Sequence, residues 1–412
     1  MHESVIRAHD VLANKPIQIT VQEGRIESCE PLSEECGPGG SEPLPYVAPG
    51  FFDLQVNGYQ GRDFTSPHLT VDHVYEVADA LWQFGVTRFL PTVTTQAYEV
   101  LIHCVRTIAQ AVNEFPILRH RIPGIHLEGP YISREDGPRG AHPRAHVREP
   151  DWDEFCRFQE AATGLIRLVT ISPEYETSAD FIRKATREGV TVSIGHTAAS
   201  PRQIREAVAA GARMSTHLGN GCHLMLPRHP NYLWEQLAAD ELYASFIADG
   251  FHLPAAFIKV ALRTKGDRAV LVSDLSAMAG LPPGRYATPL CELEILEDGR
   301  LVVAGQRQLL AGAAQPITTG IMNAVLLGKA TLPQAVAMAA VTPDQVLRME
   351  PSGYCPGSPV NLILFDVDET EKNQNSDRSY RDFSNGGEFA GLPGKRIHIR
   401  AVYFREEIKI FR

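Results

Sequence analysis

The sequence predicts an α/β fold, a TIM-like (β/α)8 barrel joined to a small β-sandwich domain that both termini build together. Three observations predict it. Eight short β-forming runs lie between Pro49 and Asp274, with helix-like segments in the gaps. Short alternating strands appear only near the two ends of the chain. The eight runs also finish in polar residues, as the strands of a catalytic barrel do at their C-terminal rim.

The first 47 residues carry alternating stretches such as PIQITVQEGRIESCE, followed by a Gly/Pro-rich link, GPGGSEPLP. This is the pattern of half-buried strands with one apolar face. The barrel runs are FFDLQVN from Phe51, TRFLPTV from Thr87, IPGIHLE from Ile122, LIRLVTI from Leu165, VTVSIGH from Val190, ARMSTHL from Ala212, ASFIADG from Ala244 and AVLVSD from Ala269. Between them lie helical segments, including VDHVYEVADALWQFG from Val71, SADFIRKATREG from Ser178 and PRQIREAVAAG from Pro201, the last two closed by the glycine expected just past a helix. Strands alternating with helices pair in parallel through right-handed crossovers, and eight such units close into a barrel. Two further strand-like runs, NLILFDV from Asn361 and IHIRAVYF from Ile397, return to the N-terminal strands, while the polar stretch from Glu369 to Gly394 reads as a surface loop. Residues 1–47 and 346–412 are thereby assigned to the small domain and 48–345 to the barrel.

Composition restricts the function classes. The chain has 412 residues, 44% of them apolar, and a formal net charge of −10, which argues against general affinity for nucleic acid or an anionic membrane. Seven scattered cysteines with no CxxC pair do not make a disulfide framework, and no signal-like segment or long apolar run occurs, so a cytoplasmic protein is expected.

The rim residues carry the chemistry. Glu128 ends the third run two residues after His126, His196 ends the fifth, His217 the sixth, Asp249 with His252 follows the seventh, and Asp274 ends the eighth. Each alone reads as a helix cap or a hydrogen-bonded structural residue. The fold, however, gathers them at one rim. One carboxylate and two imidazoles, Glu128, His196 and His217, match the three-ligand set of a catalytic divalent ion, with zinc or iron expected. Asp274 remains as a separate general acid and base.

With their neighbours these residues resemble the N-acetylglucosamine-6-phosphate deacetylase family of the amidohydrolase superfamily. The resemblance rests on APGFFDLQVNG (Ala48 to Gly58), HLEGPYIS, GAHP (Gly140 to Pro143), SIGHTAAS, THLGN (Thr216 to Asn220), ADGFHLP (Ala248 to Pro254) and SDLSAMAGLPPGRY, in this order. It implies that Glu128, His196 and His217 bind metal, that Asp274 is the acid/base, and that Ala141 and His142 of GAHP meet the substrate, His142 orienting or polarising its acetamide. By the same resemblance His252 holds the sugar, Asn220 and Gly221 present backbone to the phosphate, and Arg228 grips it. It further implies a homodimer and an amino-sugar phosphate substrate, deacetylated to the amine and acetate.

Two departures matter. Many amidohydrolases open their barrel with an HxH pair for a second metal, whereas this chain has Gln55 and Asn57, so one divalent ion per chain is expected. The phosphate element reads THLGNGCHLMLPRHPN: Arg228 keeps its register eleven residues past His217, but Gly221, His229 and Asn231 replace the family's Ala, Glu and Gly. N-acetylgalactosamine-6-phosphate and unphosphorylated N-acyl compounds are therefore the alternative substrates. A catalytically silent sugar-phosphate binder has no need of the intact set of Glu128, His196, His217 and Asp274.

Overall fold

The computed structural model describes residues 3–33, 44–287, 292–369 and 395–411. Most of the Gly/Pro-rich link before the barrel, and the polar stretch beyond Glu369 up to Gly394, lie outside these residues.

The eight expected runs form eight parallel strands: Phe51–Val56, Val86–Thr94, Ile125–Glu128, Ile166–Ile171, Thr191–Ile194, Met214–Ser215, Tyr243–Ile247 and Ala269–Val272. They pair in chain order, and a parallel bridge between Val56 and Leu275 brings the eighth strand back to the first. The sixth is only two residues long, because the chain leaves the sheet early to deliver His217.

Alternation along these strands sorts side chains into two cores. Phe51, Phe89, Ile125, Leu127, Val192 and Phe246 pack outward beneath the helices. Leu54, Leu90, Leu168, Met214, Val270 and Val272 fill the lumen. Two residues further along, the lumen becomes polar: His126 Nε2 lies 2.7 Å from Thr170 Oγ1, Thr170 Oγ1 is 2.7 Å from Thr216 Oγ1, and Ser193 Oγ is 2.6 Å from the same Thr216 hydroxyl. Burial drives the His126 pKa down to about 4, so this layer carries a neutral imidazole. The metal-ligand candidates stand on top of it.

The helices follow from local chemistry. Pro201–Ala210 starts with a capping box between Ser200 and Gln203 and ends at Gly211 in the left-handed region, φ 115°. Leu332–Ala340 packs over the first and eighth strands and covers the seam of the barrel.

Strands from both termini meet in one seven-stranded sheet, as expected. Tyr46–Pro49 is its centre, parallel to Glu3–Asp10 and antiparallel to Asn361–Glu369. Ile6, Ile17, Ile19, Val47 and Leu362 make a core of their own, while Phe365, Ile399 and Phe404 join the barrel's outer core. A four-stranded antiparallel sheet, Gly284–Ala287, Glu292–Ile295, Leu301–Val303 and Gln306–Leu310, follows the eighth strand and has no counterpart in the sequence reading. Its strands span three to five residues, too short for alternation to stand out from loop sequence.

Candidate metal centre and active site

Glu128 is the last residue of the third strand, whereas His196, His217 and Asp274 each sit two residues beyond the end of theirs. All three hold a left-handed backbone, with φ of 50°, 29° and 51° respectively. Such conformations cost energy for a residue with a side chain and persist where the surroundings over-determine them. Here they fold the chain back so that the side chains face the barrel axis. Part of the determination is visible at His217, whose backbone N–H donates to Ser245 Oγ at 2.8 Å.

Glu128, His196 and His217 converge on one point, 3%, 7% and 3% exposed. His217 Nε2 lies 2.9 Å and His196 Nε2 3.2 Å from Glu128 Oε1, and the two imidazole nitrogens are 3.1 Å apart. Ligand bonds of about 2.0–2.1 Å in a tetrahedral set place neighbouring ligand atoms about 3.3 Å apart, so the spacing fits a small divalent ion. The tautomer fits as well. His196 Nδ1 donates to the Pro138 carbonyl at 2.8 Å, which leaves the Nε2 lone pair for a cation. Burial raises the Glu128 carboxyl, but its hydrogen bonds to His196 and His217 outweigh this and hold it well below the usual range. Burial likewise opposes a charge on His217, and Glu128 reverses the balance, leaving its pKa raised.

Gln55 and Asn57, in place of the HxH pair, each donate to one of the acids. Gln55 Nε2 reaches Glu128 Oε1 at 3.0 Å, and Asn57 Nδ2 reaches Asp274 Oδ1 at 2.7 Å. Burial, reinforced by the nearby Glu128 charge, pushes Asp274 up to about 6. His142 stacks edge-on to His196 with ring centroids 4.4 Å apart, and its Nδ1 lies 2.8 Å from Thr95 Oγ1. Burial, then the neighbouring His196, depresses His142 to about 3, so it is a neutral hydrogen-bonding group. His252 Nδ1 is 2.7 Å from Asp249 Oδ2, and Asp249 Oδ1 accepts the backbone N–H of Phe251 and of His252.

The residues expected to meet the substrate are placed more unevenly. A Cβ on Gly221 would lie 2.8 Å from His196 Nδ1, so only a glycine lets this backbone close over the imidazole. Asn220 Nδ2 is buried without a partner beside it. Ala141 is exposed on the neighbouring segment, and Arg228 is exposed and makes no ion pair among the described residues. Sequence reasoning did not find the Pro138 carbonyl, Thr95 or Ser245. Asp249, already placed at the rim by the sequence, proves to be the partner of His252.

Comparison with known proteins identifies the family. N-acetylglucosamine-6-phosphate deacetylase of Bos taurus is 35% identical over 316 residues, 74% of this chain and 75% of that protein. The chain belongs to the N-acetylglucosamine-6-phosphate deacetylase family. It is thus a hydrolase of a linear amide within the amidohydrolase superfamily. An N-acetylgalactosamine-6-phosphate deacetylase of Shewanella sp. is 31% identical over 324 residues, covering 78% of this chain and 79% of the relative. Among solved structures, a mutant deacetylase of this family from Mycobacterium smegmatis in complex with N-acetyl-D-glucosamine-6-phosphate has the same fold, with a TM-score of 0.82, 24% identity and full coverage of both chains. No protein-family model matches the chain. No described helix is long and apolar enough to cross a membrane.

Proposed function

We propose that this deacetylase hydrolyses the acetamide of N-acetylglucosamine-6-phosphate, releasing acetate and glucosamine-6-phosphate. The observation that carries the reading is the convergence of Glu128, His196 and His217 on one point in a member of this family, with Asp274 as a second, separately held carboxylate. Glu128, His196 and His217 hold one divalent ion per chain, zinc or iron. When bound, the ion supplies Lewis acidity toward the amide carbonyl and toward water. Asp274, with a pKa near 6, is mostly ionised at neutral pH. It takes the proton of the attacking water and returns it to the departing amine nitrogen. Neutral His142 orients the acetamide and His252 the sugar, while Ala141, Asn220, Gly221 and Arg228 line the remainder of the substrate.

The same reading includes a homodimer, which the family resemblance supports. It also includes a cytoplasmic location, supported by free Cys29, Cys104, Cys156, Cys222 and Cys355. The Shewanella relative and the altered residues 221, 229 and 231 favour N-acetylgalactosamine-6-phosphate as the second substrate.

A panel of both sugars with and without phosphate tests the reading. The expected order places N-acetylglucosamine-6-phosphate first in kcat/KM, and faster turnover of any unphosphorylated compound overturns it. Arg228→Ala is expected to lower kcat/KM for phosphorylated sugar only, since the guanidinium fork meets the phosphate away from the amide.

A further inference from the structure

The altered phosphate element contains a histidine that the proposed reaction does not use. His223 lies two residues past Gly221 and five before Arg228. Its Nε2 is 2.8 Å from Glu135 Oε2, its Nδ1 is 3.0 Å from the Tyr232 hydroxyl, and its backbone N–H donates to that hydroxyl at 2.8 Å. Glu135 only accepts, so Nε2 carries a hydrogen toward it, while the Tyr232 hydroxyl accepts the backbone N–H and also meets Nδ1. Both ring nitrogens therefore have a partner.

The two partners belong to different parts of the site. Tyr232, 5% exposed, is the first residue of the helix Tyr232–Ala238. Glu135 begins the turn whose Pro138 carbonyl holds His196, and its own carbonyl accepts Arg139 N–H, while the Arg139 guanidinium donates to the His142 carbonyl at 2.7 Å. The two segments also touch through backbone: a Cβ on Gly137 would lie 3.1 Å from both Cys222 O and His223 Cα. Further along, Asn231 Nδ2 donates to the Pro227 carbonyl at 3.0 Å, next to Arg228.

We propose that His223, through Glu135, is a positioning residue that latches the Asn220–Arg228 segment to the His142 segment and so sets affinity for the phosphorylated end of the substrate. This rests on the substrate reading above. The latch acts on binding and lies outside the proton-transfer machinery, so it predicts a split between KM and kcat.

The test is a double-mutant cycle of His223→Ala and Glu135→Ala, with His223→Gln as the conservative variant, assayed on N-acetylglucosamine with and without 6-phosphate. Each alanine variant is expected to raise KM for the phosphorylated sugar by roughly 3- to 10-fold, the worth of one partly exposed, charge-assisted hydrogen bond, with kcat nearly unchanged. The double variant is expected to be no worse than either single one, and His223→Gln, which keeps a donor toward Glu135, to recover most of the loss. Additive losses, a parallel fall in kcat, or a glutamine variant as poor as alanine overturns the latch. Failure of the substrate reading shows separately, as equal kcat/KM of the unsubstituted protein for the two sugars.

Discussion

Two carboxylates lie close together, and their surroundings divide the work between them. Glu128 is held ionised by His196 and His217, whereas Asp274, with one amide donor in Asn57, is raised to about 6. Replacing Asp274 with Asn is expected to leave the metal bound and KM nearly unchanged while kcat falls roughly 10²–10⁴-fold, the contribution of a positioned acid/base; metal analysis and steady-state kinetics on the same sample check both halves. Glu128→Gln exchanges a charged ligand for a neutral amide, so excess metal is expected to restore part of its activity but none of that of Asp274→Asn. These residues were legible in the sequence because a carboxylate or imidazole at the end of a β-forming run has no packing role there. The left-handed backbones of His196, His217 and Asp274 were not legible, since three strained residues are tolerated only when the assembled barrel holds them. Nor was the pairing of Asn57 with Asp274, which lie 217 residues apart in sequence.

At the scale of elements, the seam between the first and eighth strands shows how barrel closure and chemistry share parts. Asp53 Oδ1 accepts the backbone N–H of Ser273 and of Gln55, each at 3.2 Å, bracketing the strand end that presents Asp274. Burial pushes Asp53 up to about 7 despite its bonds to Ser273. Between its ordinary value of 3.8 and about 7 the folded protein therefore holds a proton that the unfolded chain releases. Its stabilising effect is complete below that interval and is lost as pH rises through 7. Asp53→Asn keeps an acceptor and cannot ionise, so the variant's Tm relative to the parent is expected to improve from pH 5 to pH 8; a difference independent of pH would show that Asp53 is ionised throughout. The eight strands were readable from their apolar runs and flanking turns. The four-stranded sheet from Gly284 to Leu310 was not, because its strands are too short for their alternation to register.

For the whole molecule, the decisive property is that the proposed ligands come from the third, fifth and sixth strands, so an ion held by Glu128, His196 and His217 would cross-link the barrel and bind only the folded chain. Ligands selective for the native state stabilise it by RT ln(1 + [L]/Kd), about 2.7 kcal/mol when free ligand is 100 times Kd. With an unfolding entropy of about 2.1 cal/mol/K per residue, a cooperative unit as long as the 412-residue chain converts this into a Tm change of about 3 °C. Chelation is therefore expected to lower Tm by about that amount, with recovery on adding back zinc or iron and with elemental analysis near one ion per chain. In Glu128→Gln the melting temperature should respond far less to chelator, because the charged ligand is gone while the barrel core is untouched. Two ions per chain would mean that Gln55 and Asn57 also ligate, against their observed role as donors to Glu128 and Asp274. A Tm indifferent to chelator, in protein shown by elemental analysis to have lost a bound ion, would place that ion outside the three-strand cluster.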